Sequence, residues 1–510
     1  MTPIQPEVLT MRLKRFCILA ASAAMPLPAL AHSFAAPYTL PVPFALYAWG
    51  ACAALVLSFV IIGLMARLPF MHVTSVSGIT PAKSATSSWL MPGALLAALR
   101  MAGVLLLALC IATGLFGTRN PFANFNMTFF WIVFVLGFSY LVALCGDLYG
   151  VLNPWRTLCD WIERLLPSAF RARLRYPAAL LGYYPALALY MAFIWLELFG
   201  HTTPRSLSIA LLLYTAIGLL GAALFGKEAW FRYGDFLAVF LRLIAMMAPV
   251  RLLHGEPGTS PTIRMQWRMP FTGLLEQEAE HVSLAVFVLF MLSSTAYDGM
   301  HESQPWSEFF WAGIYPLIAP IITAGSKQPF AVAARVFHHW QSLALFLSPM
   351  LYLLCYLVFL KLARMLTAST ETVRRLALRF AFSLVPIAFV YHVTHYYTLL
   401  LSQGPAFFRQ ISDPFGLGWN LFGTAGYAAQ PILLDANVIW HTQVGLILIG
   451  HVVSVYLAHI EAMRTFRSAY RAALSQLPML LLMVGLTAAG LWILSLPIAS
   501  GQVALPTAAS

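Results

Sequence analysis

Apolar residues run in long blocks along this chain, and the blocks predict its elements. Ten are long enough to cross a bilayer as helices, near residues 44–66, 93–116, 127–148, 178–199, 206–226, 281–299, 342–363, 376–402, 438–460 and 475–497. Two shorter blocks, near 234–250 and 308–323, predict re-entrant or interfacial helices. Residues 155–170 place apolar and charged positions on opposite helix faces, as an amphipathic surface helix does. Asn153-Pro154-Trp155-Arg156 reads as the turn into that helix, with proline at an early helical position. The expected fold is all-α, a polytopic transmembrane bundle of about ten spans. No repeat stands out, which weakens a transporter built from inverted repeats.

The amino end predicts a cleavable signal peptide over residues 1–31. Arg12, Lys14 and Arg15 form a basic region, an apolar core begins at Phe16, and Ala29-Leu30-Ala31 is a small-x-small cleavage site. The alternative is an uncleaved signal anchor. Cleavage leaves His32 as the mature amino terminus, on the periplasmic side of a bacterial inner membrane. Residues 32–510 then form a single membrane domain. With that terminus outside, 21 Lys and Arg fall in inside loops and five in outside loops, namely Arg119, Arg205, Lys327, Arg335 and Arg409. Basic residues accumulate on the inner side, so the count predicts ten spans with both mature ends periplasmic.

Composition narrows the class. The chain has 510 residues, 60% hydrophobic and 9% charged, whereas soluble domains carry roughly 25% charged residues. Too little charge is present to coat a soluble globule, which excludes a soluble enzyme, a nucleic-acid module and a disordered chain. The net charge of +12 follows from topology and calls for no nucleic-acid partner; the partner it requires is the lipid bilayer. The six cysteines have no metal-ligand or redox spacing. A partner membrane subunit is left open.

Histidines carry the candidate chemistry. His392 and His395 stand three apart in Tyr391-His392-Val393-Thr394-His395-Tyr396-Tyr397, a spacing that puts both rings on one helix face. The next helix runs antiparallel and carries His441 and His451. Helical rise brings His395 and His441 to depths within roughly 5–10 Å of each other. Imidazoles with a carboxylate suit Zn, Mn, Fe or Cu. The candidate carboxylates are Asp298, Glu302, Asp413 and Asp435. The competing reading is that these histidines only hydrogen-bond between helices. Tyr297-Asp298-Gly299-Met300-His301-Glu302 closes the sixth span, with Asp298 as a ligand, a general base or a helix-end turn residue. His338-His339-Trp340 reads as an interfacial anchor. A free His32 can chelate copper through its amine and ring. Arg100 and Asp147, costly alone inside spans, are expected to pair. Glu197 is either a snorkelling group or another site carboxylate. Phosphate-binding loops, nucleophile elbows and haem motifs are not found in the sequence.

Several segments resemble a family of bacterial polytopic membrane proteins named after fenitrothion hydrolase. They are Ala31-His32-Ser33-Phe34 with Tyr38-Thr39-Leu40-Pro41-Val42-Pro43, Leu152-Asn153-Pro154-Trp155-Arg156, Tyr297-Asp298-Gly299, Ser383-Leu384-Val385-Pro386-Ile387-Ala388 with His395-Tyr396, and Gly450-His451-Val452 with Leu457-Ala458-His459. The resemblance implies a membrane-bound hydrolase of organophosphorus triesters that releases a nitrophenol from a hydrophobic small-molecule substrate. Such chemistry needs an activated water and a polarised P=O bond, which a divalent metal supplies. Asp298 and His395 are then the candidate catalytic residues, and His392, His395, His441, His451 and Asp298 the candidate metal ligands. The alternative reading is a transporter or a copper- or metal-handling protein whose intramembrane histidines form a relay. A third is a scaffold in which they only pack.

Overall fold

The computed structural model describes residues 44–65, 90–254, 263–427, 430–466 and 468–496. The expected signal peptide and His32 lie outside them. Among the described residues the protein is a helical bundle, and nine helices are long and apolar enough to cross a membrane. They are α1 (Phe44–Met65), α2 (Gly93–Phe116), α3 (Phe125–Cys145), α6 (Pro204–Phe225), α8 (Val282–His301), α9 (Pro329–Leu366), α10 (Val373–Gln403), α11 (Ala436–Thr465) and α12 (Ala469–Ser495). Between them stand α4 (Pro154–Leu165) and two shorter apolar helices, α5 (Tyr184–Phe199) and α7 (Phe236–Ala245). This is a multi-pass membrane protein.

The fourth expected span is broken. A four-residue helix, Ala178–Leu181, is followed by Gly182 at φ +46°, and α5 starts two residues later with Pro185 in its first turn. Proline suits a helix start and disrupts a helix interior. Gly182 cannot be replaced, because its φ is positive and a Cβ would overlap the His281 ring. The 16 residues of α5 rise about 24 Å, short of the ~30 Å hydrocarbon core. Near 234–250, of the re-entrant and interfacial helices expected, the interfacial form is not what stands there. In α7, Phe236, Leu237, Val239, Phe240, Leu241, Leu243, Ile244 and Ala245 are all buried, so the helix is enclosed by protein. A small sheet was not foreseen. Leu90–Met91 and Val250–His254 flank Ile263–Trp267, both antiparallel to it.

Local signals behave as the residues suggest. Asn153 caps α4, its Oδ1 accepting from the backbone N–H groups of Trp155 and Arg156, with Pro154 first in the helix. Arg100 and Asp147 do not pair. Arg100 donates to the Val151 carbonyl at 3.0 Å, while Asp147 accepts from Gly150 N–H at 2.8 Å as a cap. Each group is satisfied by nearby backbone, which removes the need for the other.

The core is organised around α8, which packs against α5, α9, α10 and α12. Every residue from Ser283 to Asp298 is buried. Close approach depends on small residues elsewhere. A Cβ at Gly490 on α12 would overlap the Tyr391 hydroxyl, which donates to the Leu486 carbonyl at 2.9 Å. Gly490→Ala is expected to cost about 1–3 kcal/mol by overpacking. Adding Tyr391→Phe should recover part of that loss. Unfolding midpoints in detergent of the two single variants and the double variant check this; purely additive losses would count against the clash.

Candidate functional site

Asp298 sits near the carboxyl end of α8, with its side chain 3% exposed. A carboxylate buried this far needs donors, since burying an unpaired charge is costly. It has two on one oxygen. His395 Nε2 lies 2.8 Å from Oδ2, and the Tyr396 hydroxyl donates to the same Oδ2 at 2.5 Å. Both donors come from α10. Neighbouring residues on a helix point about 100° apart, so the carboxylate stands in the notch between them. The Tyr396 hydroxyl is also hydrogen-bonded to Glu197, two residues from the end of α5. Two carboxyl groups, one imidazole and one phenol therefore form a connected network between α5, α8 and α10. His395 is 20% exposed beside the buried Asp298 and is not among the residues that line the neighbouring cleft.

Beside this network lies a narrow cleft with about 30 Å³ of space for water-sized occupants. Its walls are mainly apolar, with Phe134, Tyr190, Phe193, Phe236, Phe240 and Tyr396 among them, and Glu197, Asp298 and His392 add two carboxyl groups and an imidazole. Phe134 and Val135 reach it from Thr128–Phe138, a stretch of π-helix inside α3. Such widened turns recur at functional sites. A mostly apolar cavity with a few converging polar groups is the usual form of a small-molecule site.

The expected metal ligands do not converge. His392 and His395 share the general face foreseen for them, but three residues leave an offset of about 60° on a helix. His395 meets Asp298, while the His392 ring packs 5.0 Å from Tyr396 and 6.1 Å from Phe240. His392 Nε2 is buried and has no hydrogen-bond partner among the described residues. His441 faces α1, with Nε2 3.2 Å from the Tyr47 hydroxyl and Nδ1 2.7 Å from the Asn437 carbonyl. His451 is buried with Nδ1 on the Ile447 carbonyl at 2.8 Å, its ring 6.1 Å from Tyr391. Among the described residues no three of His, Cys, Asp and Glu are placed to hold an ion. These residues do not fit a metal, and the expected set of His392, His395, His441, His451 and Asp298 is not assembled.

The other candidates have local roles. Asp413 accepts from Leu417 and Gly418 N–H at 2.9 and 2.8 Å. Burial pushes its carboxyl up, but the backbone N–H groups of residues 416–419 outweigh it and hold the group below its usual range. Asp435 caps α11 through Asn437 N–H. His301 Nδ1 lies 2.8 Å from the Asp298 carbonyl, and its Nε2 3.9 Å from Glu302. Trp340 stacks on Trp306 at 4.4 Å, and α9 begins eleven residues earlier, at Pro329.

Sequence reasoning placed Asp298 and His395 but missed what Tyr396 does and left Glu197 undecided. The available signal for both was a polar or ionisable group held inside an apolar helix.

Asp298→Ala is expected to cost roughly 3 kcal/mol by stranding its partners, and Asp298→Asn distinctly less because an amide oxygen still accepts. Unfolding midpoints in one detergent give the comparison, and an alanine variant as stable as the native chain would contradict the network. Compared with protein-family models, with curated proteins and with solved structures, the chain matches none.

Proposed function

We propose that this protein is a membrane-embedded hydrolase of hydrophobic organophosphorus triesters, and that the Asp298–His395 pair is its base. The observation that carries the reading is the buried Asp298 carboxylate 2.8 Å behind a part-exposed His395 ring. A buried acid that orients an accessible imidazole and stabilises its protonated form is the arrangement general-base catalysis requires. In the proposed step a water oxygen attacks phosphorus, its proton passes to the pair, the P–O bond to the aryl group breaks and the phenolate leaves. The aromatic walls of the cleft suit an aryl ester that partitions into the bilayer. The resemblance to the fenitrothion hydrolase family supports the substrate class. The described His, Cys, Asp and Glu side chains do not assemble a metal site, so in this proposal the pair itself takes the proton from water. We place the protein in a bacterial inner membrane with a cleavable signal peptide, both mature ends periplasmic and the site toward the periplasm, on the strength of the basic-residue count.

A second reading is a carrier that moves protons or metal ions. The bond from Tyr396 to Glu197 favours it, since it links two carboxyl groups and an imidazole into one path.

Nitrophenol release from fenitrothion by membranes holding the full chain tests the proposal. His395→Ala and Asp298→Ala are each expected to lower the rate by about 10²–10⁴-fold, and chelators to leave it unchanged. Release that survives both variants would remove the pair from the mechanism. Absence of release from folded native protein would sink the hydrolase and leave the carrier.

A further inference from the structure

A basic loop between α4 and α5 has a separate role. Residues 164–196 contain Arg164, Arg171, Arg173 and Arg175 and no acidic residue. All four arginines are exposed, and none is in an ion pair among the described residues. The nearby acids are already engaged. Lys227 Nζ holds Asp160 at 2.7 Å and Glu163 at 2.5 Å, Arg156 holds Glu228 at 2.5 Å, and Arg232 holds Glu280 at 2.5 Å.

The loop is built, not slack. The N–H groups of Arg173 and Leu174 both donate to the Leu224 carbonyl, at 2.9 and 2.8 Å. Phe170 and Tyr176 point inward and are buried. The Tyr176 ring stacks on Tyr233 at 5.2 Å, and its hydroxyl donates to the Gly182 carbonyl at 2.6 Å. The arginines are thus carried on a pinned backbone. Around them, Leu165, Leu166, Leu174 and Leu180 are exposed, Leu165 by 82% and Leu180 by 74%. They lie outside the nine spans. Arginines among exposed leucines at the end of a helical bundle match a bilayer interface, where apolar side chains enter the acyl region and cations meet phosphates.

We propose that this loop is a docking surface for anionic phospholipid headgroups, which supply the negative charge the surrounding protein does not. The leucines commit the occupant to a lipid, since a free anion would make no use of them.

The test uses the full chain in nanodiscs containing phosphatidylcholine with a minor share of phosphatidylglycerol. Spin-labelled versions of the two lipids report which is held at the protein surface. The native chain is expected to prefer phosphatidylglycerol. Arg171→Gln, Arg173→Gln and Arg175→Gln are each expected to weaken that preference by about fivefold, and the triple variant to abolish it. A charge-matched control, Arg119→Gln with Arg205→Gln and Arg409→Gln, is expected to keep it. Equal loss in the control would overturn the proposal, as would a preference that survives all three loop substitutions. Excess inorganic phosphate is expected to have no effect. Displacement of the lipid by phosphate would overturn it too, by making this a free-anion site. The single variants keep the test decisive if the triple variant fails to reconstitute.

Discussion

A carboxylate inside an apolar bundle must be hydrogen-bonded or it destabilises the fold, and Asp298 imposes that requirement on everything around it. Its Oδ2 takes both His395 and Tyr396. That fixes the register of α8 against α10, since one turn of slip moves both donors about 5.4 Å away. Gly299 beside it is needed for the fit. A Cβ there would stand 2.7 Å from Ile493 Cγ2 on α12 and 3.9 Å from the His395 ring. The same network draws in α5 through Glu197, so this 16-residue helix ends at the site.

The cleft follows from this arrangement. α5 and α7 are short, α7 is enclosed by protein, and between them and α3, α8 and α10 the side chains are mainly apolar. Tyr190 stacks with Phe287 at 4.9 Å and meets Phe290 edge to face at 5.1 Å, which ties one wall to α8. Polar groups converge on the other side. His392 Nε2, buried without a partner among the described residues, is an unfilled hydrogen-bonding position in the cleft wall. Asp298 and Tyr396 belong to the cleft lining, whereas His395 reaches Asp298 from outside it.

Polar ends and apolar middles divide the work of the molecule. Ion pairs such as Lys227 with Asp160 and Glu163, and Arg379 with Glu278, join helix ends and connecting segments. They leave the arginines of the loop between α4 and α5 unmatched. Those arginines are exposed and meet no acidic side chain among the described residues.

By itself the sequence determined the class of molecule and the approximate position of nine spans, because a run of about 20 apolar residues is readable without neighbours. It also determined the turn at Asn153-Pro154 that leads into α4, a signal carried by residues a few positions apart. Which helices face lipid was decided only by tertiary structure. Lipid and protein interior are both apolar, so hydropathy does not separate α8, 89% buried in its apolar window, from α2 at 11%. The break at Gly182 has local markers in Gly182 and Pro185, but the packing that leaves no room for a side chain at Gly182 comes from the His281 ring, 99 residues further along the chain. The site divides the same way. Asp298 and His395 were visible as ionisable groups in apolar helices. Their pairing, the part of Tyr396 and the bond to Glu197 were not, nor was the turning of His441 toward Tyr47. Those depend on the rotation of each helix about its axis, which the packing of several helices sets together and no single segment contains.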